Sequence, residues 1–112
     1  MTINKVIAIY PGRFQPFGPH HALVYQWLQK QFGVDNTFIA TSNHVEEPNS
    51  PFNFTEKVSI IRKFNIPLAA IEYVKQPYVA TEILSKFNPD TTAVVFVYGE
   101  KDAGRLSYTK KD

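Results

Sequence analysis

The chain has 112 residues, 44% of them hydrophobic, which is enough to bury one core and predicts a single domain. Its formal net charge is only +2, so it lacks the strong positive charge of proteins that bind nucleic acids without sequence preference. It has no Cys, which excludes disulfides, thiolate metal sites and a Cys nucleophile. Because no apolar run reaches the length of a membrane span, we expect a soluble protein, with the cytoplasm as the default compartment.

The first third of the chain predicts a strand, a loop and a helix. Residues 6–10 are a continuous β-branched and aromatic run, typical of a strand buried on both faces, and we predict the first, central strand there. Prolines and glycines between residues 11 and 19 then require a loop. From residue 20 to residue 32 apolar residues recur at helical spacing, and Gly33 is a natural stop. The apolar positions expected on this helix are Leu23, Val24, Trp27, Leu28 and Phe32, with Trp27 and Phe32 in the core.

The rest of the chain repeats the alternation. Strands are predicted at residues 37–41, 70–74 and 93–98, the last one buried, and helices at residues 55–64, capped by Thr55, and 77–87. Strands and helices in alternation favour a parallel sheet covered by helices. We therefore predict an α/β fold: a Rossmann-like open parallel sheet of about four strands with flanking helices, spanning residues 1–106, followed by a polar tail over residues 107–112.

The candidate chemistry lies in the loop after the first strand. In an open α/β sheet, ligands bind outside the carboxyl ends of the strands, and a helix amino terminus there attracts anions. Gly12 and Gly18 would let the backbone approach a ligand, and Arg13 adds a permanently charged donor. His20 and His21 fall in the first helical turn, where an imidazole can donate to a phosphate oxygen. From spacing alone the alternative is a solvated histidine pair on a stiffened turn, because strand, glycine loop and helix form a weak signature.

Three segments resemble one family in the same order. Residues 12–21, GRFQPFGPHH, closely resemble the G-R-F-Q-P-F-H-x-G-H loop of the nucleotidyltransferases that carry an H-x-G-H or T-x-G-H motif. By that loop the nicotinamide mononucleotide adenylyltransferases are nearest, ahead of cytidylyltransferases and pantetheine-phosphate adenylyltransferases. Residues 50–61, SPFNFTEKVSII, resemble the family's P-F segment and the helix after it, with Lys57 as the basic residue of its first turn. Residues 98–106, YGEKDAGRL, resemble the family's segment near the nucleotide ribose and base.

The sequence departs from the family pattern in two ways. His21 falls on the last histidine of the motif, but Gly18 stands at the position of the first His or Thr, and His20 stands at the motif glycine. Either His20 supplies the lost donor from a shifted position, or the site is weakened. The family's second signature, of the S-x-T-x-x-R kind, has no convincing copy here. We therefore expect that the chain stops before that element, as a fragment of a longer protein or as a reduced relative.

The resemblance implies transfer of AMP or CMP from a nucleoside triphosphate to a small phosphorylated acceptor, such as nicotinamide mononucleotide, with release of pyrophosphate. It implies Mg²⁺ carried by the triphosphate, and no metal site built from protein ligands. His21 and His20 are the implied catalytic residues. The residues implied for nucleotide and phosphate binding are Gly12, Arg13, Phe14, Gly18, Lys57, Gly99, Asp102 and Arg105.

A second function class stays open: a non-catalytic or truncated nucleotide-binding module. Four candidates also have simpler explanations. Lys57 could lie on a solvated helix face, Asp102 and Arg105 could form a surface ion pair, and His44 could be exposed. Nucleic-acid and membrane partners are not expected, and the sequence leaves the oligomeric state open, a homo-oligomer included.

Overall fold

The computed structural model describes residues 2–98. The strands are β1 (Lys5–Pro11), β2 (Thr37–Thr41), β3 (Ile71–Tyr73) and β4 (Thr92–Phe96), and the helices are α1 (Pro19–Phe32), α2 (Phe54–Arg62) and α3 (Thr81–Leu84). Short 3₁₀ turns at Val34–Asn36 and Leu68–Ala70 lead into β2 and β3. The four strands form one parallel sheet in the order β3-β2-β1-β4. The predicted α/β fold with a parallel sheet of four strands and flanking helices is confirmed, and β1 is an interior strand.

Helices cover both faces of the sheet. Ala8 and Tyr10 belong to the core on the face that α1 and α2 cover, whereas Ile7 and Ile9 belong to the core on the face of α3. Strand order reverses beside β1, because β2 and β3 extend to one side of it and β4 lies on the other. Loops at the carboxyl ends of the strands next to such a reversal are where open α/β sheets bind ligands. Within residues 2–98, no helix combines the length and the apolar character that a membrane crossing requires.

The buried face of α1 differs from the prediction. The helix packs on the sheet through Ala22, Tyr25 and Leu28, which repeat at a spacing of three. Trp27 lies on the outer side and is 59% exposed, so its assignment to the core is wrong. Phe32 is half-buried and packs against the core. Apolar residues on both sides of α1 made the sequence ambiguous about which stripe is buried.

Three further predictions were wrong in detail. Asn53 rather than Thr55 caps α2: its side chain accepts from the backbone N–H of Glu56, and the Glu56 carboxylate accepts from the backbone N–H of Asn53. Helix α3 is only four residues long, because Ala80 has a left-handed backbone with a φ of 53° and the helix starts after it. Strand β4 is not buried, since it lies at an edge of the described sheet, where Val94 and Val95 are each 37% exposed.

Candidate functional site

The loop between β1 and α1 is shaped by one aromatic ring. Phe14 has a left-handed backbone with a φ of 49°, and its ring lies over Gly12, where a Cβ would be 2.9 Å from Phe14 Cζ. Phe14 is itself 5% exposed and packs edge-on against Tyr10 at a centroid distance of 5.3 Å. Gly12 is therefore required by the close approach of Phe14. The predicted approach of a ligand to Gly12 stays a prediction.

The histidine pair lies at the amino terminus of α1. His21 is in the first turn and half-buried, and its Nδ1 accepts a hydrogen bond from the backbone N–H of Gly18 at 2.9 Å. A neutral His21 must then carry its proton on Nε2, which makes that atom a donor. The His21 ring contacts Phe14 and Phe17 at centroid distances of 5.1 and 5.2 Å, so aromatic rings fix its orientation. His20 is exposed, and its ring lies 3.9 Å from the ring of His21.

The ring of His20 lies next to Gly18. The backbone of Gly18 is extended, with φ −117° and ψ −179°, so the conformation does not require glycine. A Cβ on Gly18 would lie 3.4 Å from both Cε1 and Nδ1 of His20. The His20 imidazole thus lies beside the place where a side chain at position 18 would begin.

A second feature is a cleft at the carboxyl ends of β1 and β2, with a volume of about 210 Å³. It lies between the loop after β1 and residues 42–53, which connect β2 to α2. The residues that line it are Arg13, Gln15, Ser42, His44, Glu46, Ser50 and Lys57. Arg13 and Lys57, predicted separately from sequence, are therefore brought to one place. His20 and His21 do not line this cleft, so the structure gives two separate positions with hydrogen-bond donors.

Lys57 is buried, which removes the simpler explanation that it lies on a solvated helix face. Its side chain is 1% exposed, and its Nζ donates to Thr41 Oγ1 at 2.8 Å and to the carbonyl oxygen of Ser42 at 2.7 Å. Burial, and to a smaller extent the positive charge of Arg13, lowers the pKa of Lys57 to about 8. Within residues 2–98 neither Lys57 nor Arg13 forms an ion pair with a carboxylate. Two cations without an acidic partner make the cleft suited to an anion.

Two loops are joined across the cleft by hydrogen bonds that involve Gln15 and Ser50, which sequence reasoning did not single out. The Arg13 guanidinium donates to Ser50 Oγ and, at 3.4 Å, to the carbonyl oxygen of Asn49. The Gln15 side chain donates to the carbonyl oxygen of Phe52 and accepts from its backbone N–H, both at 2.8 Å. Gln15 and Ser50 do fall within the two segments that resemble the family. The sequence therefore contained a signal for the two segments, which both resemble the family. That Gln15 bonds to Phe52, 37 positions away, is visible only in the fold.

The remaining candidates are Gly99, Asp102, Arg105 and His44. Gly99, Asp102 and Arg105 lie outside the described residues, as do the polar tail and most of the segment predicted near the ribose and base. His44 is exposed, in agreement with the simpler explanation for it. It lines the cleft beside Glu46, and its Nε2 lies 3.5 Å from Oε1 of Glu46. In the described part of the chain no group of three or more His, Asp or Glu side chains could hold a metal ion.

The lowered pKa of Lys57 predicts how stability depends on pH. Below a pH of about 8 the folded protein contains a buried charge, and that cost is relieved as the pH rises toward 10.5, the ordinary value that applies in the unfolded chain. The free energy of unfolding of the wild type, minus that of Lys57→Met, should thus rise by on the order of 1 kcal/mol between roughly pH 7.5 and 9.5. Urea unfolding of the wild type and of the variant at several pH values measures this difference. The same difference for the exposed Lys63→Met should stay flat, and a flat difference for Lys57→Met would contradict the burial of its charge.

Comparison with known proteins gives a distant relation. No protein-family model matches the chain. The chain is 27% identical over 89 residues to a nicotinamide-nucleotide adenylyltransferase from Sulfurisphaera tokodaii. The match covers 80% of this chain and 41% of that protein, so the chain spans about two fifths of the length of this curated relative. The similarity supports a relation to nucleotidyltransferases and leaves the substrate and the H-x-G-H motif to be tested.

Proposed function

We propose that this chain is a nucleotidyltransferase-like protein that binds a nucleoside triphosphate and a phosphorylated acceptor. The observation that carries the proposal is that hydrogen-bond donors lie at two separate positions at the carboxyl ends of the strands. One is the amino terminus of α1 with His20 and His21, and the other is the cleft with Arg13 and Lys57. A reaction between two phosphorylated substrates needs such a pair of positions.

Each position has donors that suit one substrate. At the first, the N–H groups of α1 and the imidazoles of His20 and His21 would bind the triphosphate, because helix amino termini and charge-assisted donors stabilise phosphate oxygens. At the second, Arg13 and Lys57 would hold the phosphate of the acceptor. The name of the relative from Sulfurisphaera tokodaii makes nicotinamide mononucleotide the acceptor to test first.

The proposed reaction is an in-line displacement. An oxygen of the acceptor phosphate attacks the α-phosphorus, a new P–O bond forms, and the bond to pyrophosphate breaks. No covalent enzyme intermediate is needed, so the residues act by positioning the substrates and by stabilising charge on the phosphoryl oxygens. His21 would donate the proton on its Nε2 to an oxygen of the triphosphate. Lys57 and Arg13 would align the attacking phosphate of the acceptor.

The residues of the cleft bear on how Mg²⁺ would be bound. The cleft contains two cations and one carboxylate, that of Glu46, which is a poor set of ligands for a divalent ion. We therefore propose that Mg²⁺ arrives with the triphosphate and is held by phosphate oxygens and water, where it neutralises charge on the leaving pyrophosphate.

Pyrophosphate release tests this function. The chain is incubated with nicotinamide mononucleotide, Mg²⁺ and either ATP or CTP, and we expect release that requires the acceptor and one of the two triphosphates. His21→Ala should reduce the rate by about 10²-fold or more, since it removes a donor to charge that develops in the transition state. Gln26→Ala, an exposed change on the same helix, is the control. Binding of both substrates without release would favour the non-catalytic module, an alternative that Gly18 at the motif's first histidine position supports.

His20 provides a prediction for the triphosphate position alone. If its imidazole substitutes for a donor at position 18, His20→Ala should weaken ATP or CTP binding by roughly 1 to 3 kcal/mol. The same change should leave the affinity for nicotinamide mononucleotide within about twofold, because His20 does not line the cleft. Isothermal titration calorimetry of each ligand measures both effects. Equal triphosphate affinity of the wild type and His20→Ala would show that His20 only replaces the motif glycine.

A further inference from the structure

Two oxygen atoms accept hydrogen bonds from the amine of Lys57, a residue that lines the cleft. The Thr41 hydroxyl directs its own proton to the carbonyl oxygen of Arg13, at 3.5 Å, so its oxygen accepts from Lys57. The carbonyl oxygen of Ser42 accepts a second N–H. A neutral amine has two N–H bonds and one lone pair, and both N–H bonds are used by these acceptors. Because Lys57 lines the cleft, a small molecule inside it can reach the remaining lone pair.

Burial and, to a smaller extent, the charge of Arg13 raise the neutral fraction of Lys57. With its pKa lowered to about 8, Lys57 is about half neutral at a pH of about 8, where an ordinary lysine is roughly 0.3% neutral. Buried amines with a lowered pKa are the lysines that act as nucleophiles in proteins. The cleft thus combines a partly neutral amine with the cationic side chain of Arg13.

We propose that Lys57 is a covalent acylation site for small acyl phosphates that bind in the cleft through Arg13. In an acyl phosphate the carbonyl carbon is one oxygen away from the phosphorus. A phosphate bound to the Arg13 guanidinium therefore brings that carbon to the neighbouring Lys57 amine. The cleft volume of about 210 Å³ selects a small acyl group. The proposal requires only that the cleft bind anions, and it is independent of nucleotidyl transfer.

The step balances without an oxidant or reductant. The lone pair of Nζ attacks the carbonyl carbon, a C–N bond forms, and the C–O bond to the phosphate breaks. Phosphate leaves with the electron pair, and one Nζ proton passes to it or to water. The product is a neutral amide that cannot take up a proton near neutral pH. Acylation would therefore remove one of the two cations of the cleft and lower its affinity for phosphate.

Acetyl phosphate is the probe for this site. The wild-type chain is treated at a pH of about 8, and acetylation of each lysine is followed by mass spectrometry of its peptides. We expect Lys57 to react on the order of tenfold faster than Lys63 and Lys75, which are exposed and serve as references in the same molecule. Inorganic phosphate should suppress the reaction at Lys57 and leave the reference lysines unchanged.

A second reagent separates the effect of phosphate binding by Arg13 from the intrinsic reactivity of the Lys57 amine. Acetic anhydride is of similar size but has no phosphate, so Arg13→Gln should reduce the preference for Lys57 at least fivefold with acetyl phosphate and less than twofold with the anhydride. The proposal is overturned if Lys57 reacts no faster than the references, or if Arg13→Gln affects both reagents equally. Phosphate protection in the wild type keeps the test decisive if that variant does not fold. Failure of pyrophosphate release would not bear on it.

Discussion

Replacing Lys57 with methionine is expected to lower the affinity for nicotinamide mononucleotide and for inorganic phosphate by roughly 30-fold or more, or about 2 kcal/mol. The reason is that Lys57 is buried at the cleft and has no carboxylate partner among residues 2–98, so the ligand phosphate would be its counter-charge. Methionine has a similar length and fills the buried space without a donor. Calorimetry, or phosphorus NMR for weak binding, measures the change.

The matched control is Lys63→Met, which removes the same charge from an exposed position. Its effect on phosphate binding should be less than about twofold at physiological ionic strength, because exposed charges are screened. The affinity of Lys57→Met for ATP should fall much less than its affinity for the acceptor. An equal loss of phosphate affinity in Lys57→Met and Lys63→Met would mean that phosphate binds through the overall charge of the protein. The assignment of the cleft as a phosphate position would then be wrong.

Gly12→Ala is expected to destabilise the fold by about 2 to 3 kcal/mol, the upper part of the range for overpacking. The added Cβ would meet Phe14 Cζ at 2.9 Å. The ring cannot move aside cheaply, because it is buried between Tyr10, Phe17 and His21. Urea unfolding of wild type and variant measures the loss.

Two further variants test the cause of that loss. Gly18→Ala adds a Cβ that would make contact only at 3.4 Å with the His20 ring, so we expect a change within about 0.5 kcal/mol. Combining Gly12→Ala with Phe14→Leu should give a smaller total loss than the sum of the two single changes, because the shorter side chain removes the clash. Additive losses would show that Phe14 is not the residue that requires glycine at position 12.

The regular elements were largely predictable because their signals are local. The β-branched and aromatic run at residues 37–41 coincides with β2, and the loop of prolines and glycines after β1 ends at α1, as its spacing indicated. Local signals did not determine burial. Trp27 has a helical spacing compatible with either side of α1, and only packing on the sheet decides that it is exposed. Strand β4 has the composition of a buried strand, yet its place at an edge of the described sheet follows from topology.

The candidate site was predictable in its parts and not in its arrangement. The residues of the β1–α1 loop were identified from the family resemblance, and so was Lys57. That Lys57 is buried, and that it joins Arg13 and not the histidine pair, depends on hydrogen bonds between segments distant in sequence. The same holds for Gln15, whose side chain connects the two loops. A hydrophobic pattern has no information on such contacts between polar groups.

The most direct test of the account is a nitrogen-15 NMR titration of the wild-type chain with each proposed ligand in turn. We predict that ATP or CTP with Mg²⁺ shifts the backbone amide signals of Gly18, His20 and His21 first, since these N–H groups lie at the amino terminus of α1. Nicotinamide mononucleotide should instead shift the signals of Arg13, Ser42 and Lys57, which surround the cleft. Saturation of both sets, each by its own ligand, is the expected result. Shifts confined to other surfaces, or the same set shifted by both ligands, would contradict the assignment of two separate phosphate positions.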